Sequence, residues 1–331
     1  MKLQQTNLVR STRISAVLGG ILWLVLLFPL PGWLNLPVES NGETWLIERL
    51  LILSVLLFVP LALSLAPPFQ NYSPGAAFRI AGLLQPAGAV LVVISFCLRT
   101  GFLAAALTTV WILTTFFITL SGLDRLWQRW KSNHSIFPLE ELCIDAGLAY
   151  VVVGSGWLFL SRLGVNPMNF SDTIVLLTAV HFHYAGFAAP ILTGLAGRKI
   201  QTGIARKVYR VAATGIIAGP PLVAAGITLS RSVEVFSAIT LALSLFVLAM
   251  LTMFVLAPAM KPVPRLLLIL SSMSVIVTMM FACLYAFGRF AGVETVNIPL
   301  MAQIHGISNA FGFVLCGLLA WHIVHRQMAK H

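Results

Sequence analysis

Ten runs of apolar residues, each about as long as a bilayer's hydrocarbon core is thick, constrain this chain more than any other feature. They cover roughly 14–31, 46–66, 79–98, 101–122, 140–161, 172–196, 208–229, 234–257, 264–288 and 300–325. A helix rises about 1.5 Å per residue, so about 20 residues cross a hydrocarbon core of about 30 Å. Backbone N–H and C=O groups find no water in lipid, so each run must satisfy itself as a helix. The expected fold class is therefore all-α: a polytopic transmembrane helix bundle of about ten helices, forming a single integral membrane domain over 1–331. Composition agrees, since 9% of the residues are charged and 59% hydrophobic, whereas a soluble globular chain averages about 25% charged. A soluble enzyme, a disordered chain and a nucleic-acid binder are excluded as readings of the whole sequence.

The net charge of +11 reports topology rather than a polyanionic partner. With the N-terminus inside, 16 of the 21 Lys and Arg residues fall in inner loops, among them Arg10, Arg13, Arg125, Arg129, Arg198 and Arg206. The outer side keeps Arg99, Arg162, Arg231 and Arg289, with Arg49 just inside the second helix. Miscounting one helix would destroy this positive-inside bias, so both termini are expected in the cytoplasm. The longest inner loop, about 123–139, carries Leu123-Asp124-Arg125-Leu126-Trp127-Gln128-Arg129-Trp130-Lys131, which suits either a short interfacial helix on an anionic leaflet or a simple topogenic loop. The first run ends in Phe28-Pro29-Leu30-Pro31-Gly32-Trp33 without a small-x-small cleavage site, so a retained helix is expected rather than a signal peptide. Cys97, Cys143, Cys283 and Cys316 lie in or beside apolar runs without CxxC or zinc-type spacing, and read as small core residues.

Polar side chains deep inside helices are costly in lipid, so they mark candidate sites. The sixth helix carries His181-Phe182-His183-Tyr184 near its middle, followed by Pro190. Residues two apart on a helix point about 200° apart, so His181 and His183 do not converge on one ion unless the helix kinks. The tenth helix carries His305-Gly306-Ile307-Ser308-Asn309-Ala310-Phe311-Gly312. His305 and Asn309 are four apart and share a face, at a depth overlapping that of the sixth-helix histidines. Gly306 and Gly312 permit close approach of another helix or a flat cofactor. His181 or His183 is therefore expected within direct or water-bridged reach of His305 or Asn309.

Glu141 and Asp145 share a face of the fifth helix within its inner third, as either a proton or cation path or a structural pair satisfied by basic residues of a neighbouring inner loop. Glu140 suits a helix N-terminus. Glu48 and Arg49 are expected to snorkel. His322 and His325 lie near the inner interface, where imidazoles are cheap. Gln85-Pro86 and Gly219-Pro220-Pro221 are possible breaks in the third and seventh helices, such as transporter sites use.

The blocks His181-Phe182-His183-Tyr184-Ala185-Gly186-Phe187 and His305-Gly306-Ile307-Ser308-Asn309-Ala310-Phe311-Gly312-Phe313, with Glu141, Ala146-Gly147, Tyr150 and Trp157, resemble those of the YndJ-like family of bacterial membrane proteins. The resemblance covers roughly residues 140–325 and implies a multi-pass protein of the bacterial cytoplasmic (inner) membrane. It supplies no reaction.

Three functions remain open on the sequence. A transporter-like protein would use His181, His183, Tyr184, His305 and Asn309 as an intramembrane site for a small solute or ion. A membrane oxidoreductase would bind haem or a transition metal through His181, His183 and His305, with Tyr184 and Asn309 supporting the ligands. A structural or assembly subunit would use the same residues to bond helices together. Its one certain partner in every case is the lipid bilayer.

Overall fold

The computed structural model describes the backbone of residues 2–28, 44–66 and 74–328, and the side chains of 10–28, 44–66, 74–132 and 134–327. Residues 29–33, which close the first apolar run, and the basic Lys330 lie outside the described residues. The described chain is helical throughout, with no strand. In chain order the helices are α1 (Lys2–Val25), α2 (Trp45–Leu63), α3 (Ala76–Phe96), α4 (Phe102–Asn133), α5 (Leu139–Leu163), α6 (Asp172–Gly197), α7 (Gly203–Leu229), α8 (Arg231–Ala259), α9 (Pro262–Ala291) and α10 (Ile298–Gln327). Among the described residues, the nine from α2 to α10 are long and apolar enough to cross a membrane. α1, with 24 residues, spans about 36 Å.

The chain forms two compact units. One comprises residues 1–134 and 147–188, the other 135–146 and 189–331. In the first, α3 packs along α4, and α2 contacts α1 and the start of α6. α2 is the most enclosed span, 83% buried. In the second unit α8 packs on α7 and α9, and α10 packs on α9. α9 is only 28% buried and turns Leu266, Met273, Met280 and Phe287 outward. An apolar belt of this extent would aggregate in water and is stable against hydrocarbon.

The helices depart from regularity at wide, π-helical turns, three of which end two residues before a proline (Pro60, Pro190 and Pro258), whereas other prolines leave their helices regular. α3 runs through Pro86 and α7 through Pro220 and Pro221 without a break, which corrects the expectation of broken helices there. A proline removes one backbone donor and leaves the rest of the ladder, and local adjustment re-satisfies the freed carbonyl. The π turns instead occupy Ser54–Phe58 in α2, Phe182–Ala188 in α6, Thr252–Leu256 in α8, and Met301–Gly306 with Ser308–Leu315 in α10. Such turns are rare and often mark functional positions.

Two further expectations are corrected. Residues 123–133 continue α4 without interruption. No glycine or proline breaks that stretch, and Arg125 and Arg129, four apart, share a buried face, each 1% exposed. Arg125 Nη1 donates to the Ala66 carbonyl at 3.0 Å, placing a cation at the C-terminal end of α2, where the helix dipole favours one. Arg162 does the same for α3, donating to the carbonyls of Ser95 at 3.0 Å and Leu98 at 2.7 Å. Arg49 does not snorkel. It is buried with its guanidinium 5.5 Å from the Trp45 ring centre, a stacking that suits a weakly hydrated cation.

Candidate functional site

In the first unit the polar centre is His183, which is fully buried, while His181 two residues earlier is exposed. The opposed faces read from the sequence are thus realised. Trp111 of α4 donates its indole N–H to His183 Nε2 at 3.2 Å, and His183 Nδ1 lies 2.8 Å from the Ala179 carbonyl. An indole nitrogen only donates, so Nε2 must be the unprotonated nitrogen and Nδ1 carries the hydrogen given to Ala179. The imidazole is neutral, and both of its nitrogens are engaged. The indole and imidazole rings also stack, 6.1 Å apart and 15° from parallel. Gly154 of α5 makes room for this ring, since a Cβ there would sit 2.7 Å from His183 Nδ1.

Tyr184 follows in the same π turn. Its hydroxyl donates to the Leu50 carbonyl of α2 at 2.9 Å, and its ring meets Phe58 edge-on at 5.6 Å. Phe58 closes the π turn of α2, and the carbonyl of Val55 in that turn accepts from the Gln85 amide at 3.3 Å. Ser15 in turn donates to Gln85 Oε1. Gln85, read from the sequence as part of a break, is a brace: its buried amide supplies a donor to a carbonyl within the irregular ladder of another helix.

In the second unit His305 and Asn309 meet on one residue, as their four-residue spacing anticipated. His305 Nδ1 lies 2.8 Å from the Thr278 carbonyl of α9, and the Thr278 hydroxyl donates to Asn309 Oδ1 at 2.9 Å. One turn on, the missing side chain of Gly312 lets Ser274 of α9 approach so closely that a Cβ would collide with it, and Ser271 donates to the Phe313 carbonyl at 2.8 Å. The expected meeting of His181 or His183 with His305 or Asn309 would join different units. Trp111 and Ala179 for His183, and Thr278 for His305 and Asn309, each lie within the residue's own unit.

The carboxylates at the start of α5 belong to the second unit and are paired. Glu141 Oε1 and Oε2 accept from Arg198 Nε at 2.7 Å and Nη2 at 2.9 Å. Glu140 Oε2 accepts from Arg206 at 2.7 Å, and its Oε1 from the Gln201 amide at 3.2 Å. Both carboxylates are almost wholly buried. Arg198 and Arg206 flank the connection from α6 to α7, so basic residues of a neighbouring loop satisfy Glu141 and Glu140 respectively. Asp145, 4% exposed, lies one turn deeper. Tyr209 packs beneath Arg206, its ring 5.4 Å from the guanidinium, and donates to the Thr193 carbonyl at 3.2 Å.

Among the described residues no three His, Cys, Asp or Glu side chains are grouped closely enough to hold a metal ion. The engagement of both His183 nitrogens is the chemical reason that this imidazole offers no lone pair. Near the end of α10, His325 Nδ1 turns back to the Trp321 carbonyl at 3.0 Å, an ordinary local bond. Sequence reading missed Trp111, Thr278 and Gly154. None is unusual by itself, and only their apposition to a buried imidazole or amide reveals their part.

A sequence profile of the YndJ-like protein family matches residues 49–313. The uncharacterized membrane protein YndJ of Bacillus subtilis (strain 168) is 35% identical over 280 residues, which cover 83% of this chain and 48% of that protein. The chain thus spans about half the length of the curated relative it matches. No solved structure matches. With a family profile over most of its length and a bacterial membrane protein as a relative, the chain belongs to the YndJ-like family.

Proposed function

We propose that this is a transporter-like protein of the bacterial cytoplasmic membrane, in which the polar residues on the π turns of each unit handle a small solute or ion. One observation carries the reading: His183 and Tyr184 sit on the π turn of α6, and His305 and Asn309 on the π turns of α10. A π turn that relaxes to an α turn shifts the register of every following side chain, so a polar group placed on it can exchange partners between two discrete arrangements. Paired charges at a span's end and neutral groups within it suit a protein that keeps ions out of lipid except along a specific route. Glu141 gives both oxygens to Arg198, so a proton or cation path through it would have to exchange that partner, and Asp145 lies one turn further along the same face.

The test is flux. Purified protein in dye-loaded proteoliposomes should carry protons, an alkali cation or a small solute above the rate of empty vesicles. Asn309→Ala and Asp145→Asn should each abolish that flux with little change in melting temperature. Absence of flux across such a panel would overturn the reading, and a Soret band or stoichiometric metal in the mildly purified protein would move it to the oxidoreductase class. Orientation is checked separately. Reporters in the 197–207 loop and after the last residue should report cytoplasm, and one near Asn166 the outside. An external C-terminus would refute the topology.

A further inference from the structure

Thr252, Ser271, Ser272, Phe313 and Trp321 line a small cavity of about 20 Å³ within the second unit. Its remaining wall is mostly leucine, alanine and valine, and such a cavity, if wholly apolar, would stay dry. This one is not wholly apolar. Ser272 and Trp321 are each 3% exposed, Ser271 5% and Thr252 9%. Ser271 spends its hydrogen on the Phe313 carbonyl at 2.8 Å and keeps its lone pairs. Among the described residues, the hydroxyls of Thr252 and Ser272 and the indole N–H of Trp321 have no protein hydrogen-bond partner.

We propose that this cavity is a binding site for a single water molecule. Its volume exceeds the roughly 10–15 Å³ that a water needs, and a buried water typically makes two to four hydrogen bonds. The lining offers one obligatory donor in Trp321, one acceptor in Ser271, and two hydroxyls able to play either part. The chemistry therefore fits a ligand that both donates and accepts, carries no charge and has one heavy atom. Thr252 opens the π turn of α8, and Phe313 lies in the π turn of α10. A water here would bond Thr252 at the start of the α8 π turn and Ser271, the hydroxyl that holds the Phe313 carbonyl of an α10 π turn, and so tie these two irregular stretches together. The assignment stands whether or not the protein transports anything.

Radiolytic hydroxyl-radical footprinting of the full chain in lipid nanodiscs tests it, because radicals born from a bound water oxidise the side chains beside it. Trp111 is the internal control. It is fully buried, where Trp321 is 3% exposed, and its N–H is given to His183. Trp321 should be oxidised several-fold faster than Trp111, and that excess should be lost in a Thr252→Val/Ser272→Ala variant, which keeps the shape of the cavity and removes its hydroxyls. Equal, low oxidation of the two tryptophans in the wild type would overturn the proposal without recourse to any variant. Persistence of the excess in a folded double variant would overturn it as well, by showing that the radicals arrive from bulk water.

Discussion

Within this chain, polar groups at the end of the spans and polar groups in mid-span are solved by different chemistry. At the start of α5, Glu140 and Glu141 are ionic partners of Arg206 and Arg198. In the middle of α6 and in α10, His183, His305 and Asn309 are bonded by an indole, a hydroxyl and backbone carbonyls. Depth explains the division. Arg198 and Arg206 retain about a fifth of their side-chain exposure, so the screening and solvation that make an ion pair tolerable are at hand. No such relief reaches a fully buried imidazole, and a neutral partner satisfies it without a net charge.

Removing one partner should therefore cost most where charge is involved. Arg198→Ala strips the bidentate donor from a buried carboxylate and should destabilise by about 3 kcal/mol, the lower end for a broken buried pair because Arg198 is partly exposed. Adding Glu141→Leu should restore much of that loss, since an apolar pair carries no desolvation penalty. Thermal unfolding of the two variants in one detergent decides the matter. A silent Arg198→Ala would erase the contrast between span end and mid-span.

The mid-span arm is broken next. Trp111→Phe keeps the ring stack and removes the donor, leaving His183 Nε2 buried and unmatched. The expected cost is about 1–3 kcal/mol. Gly154→Ala should add to the disturbance by pressing a methyl on Nδ1. Nitrogen-15 spectra of the wild type should show the Nδ1–H tautomer, and an Nε2–H tautomer would contradict the Trp111 bond outright.

What was legible beforehand follows the same division. Span count came from hydrophobic length, because lipid forces the backbone into helices whatever the side chains do. The His305–Asn309 face came from four-residue spacing, a property of one helix. Partners contributed by other helices were not legible: Trp111 is one tryptophan among 8, and nothing local marks it. The placement of Arg125 and Arg129 in a loop failed because composition ranks them as topogenic charges, whereas an unbroken α4 carries them into the protein. The prolines misled for a related reason. Pro86 and Pro220-Pro221 announce irregularity in the sequence and stay regular, whereas the turns at 54–58, 182–188 and 252–256 widen just before Pro60, Pro190 and Pro258, and those at 301–306 and 308–315 do so with no proline following.

The smallest effect is expected at Thr278, and it sharpens the comparison most. Its hydroxyl donates to Asn309, while its backbone carbonyl receives His305. Thr278→Val removes the first bond and preserves the second, because the carbonyl does not depend on the side chain. Side-chain hydrogen bonds between membrane helices average about 0.6 kcal/mol and reach about 1.7 kcal/mol, less than either change above, since the chain unfolded within the membrane also finds partners. Thr278→Ser keeps the hydroxyl and should melt close to the wild type. If Asn309 serves only to hold α10 to α9, Thr278→Val lowers the melting temperature slightly and does nothing else. If Asn309 is part of a transport site, the same substitution frees its carbonyl oxygen and should change flux or ion preference by far more than so small a loss of stability would suggest. Measuring both quantities on the Val and Ser variants separates a strut from a site, and a Val variant with altered melting and unaltered flux would remove Asn309 from the candidates.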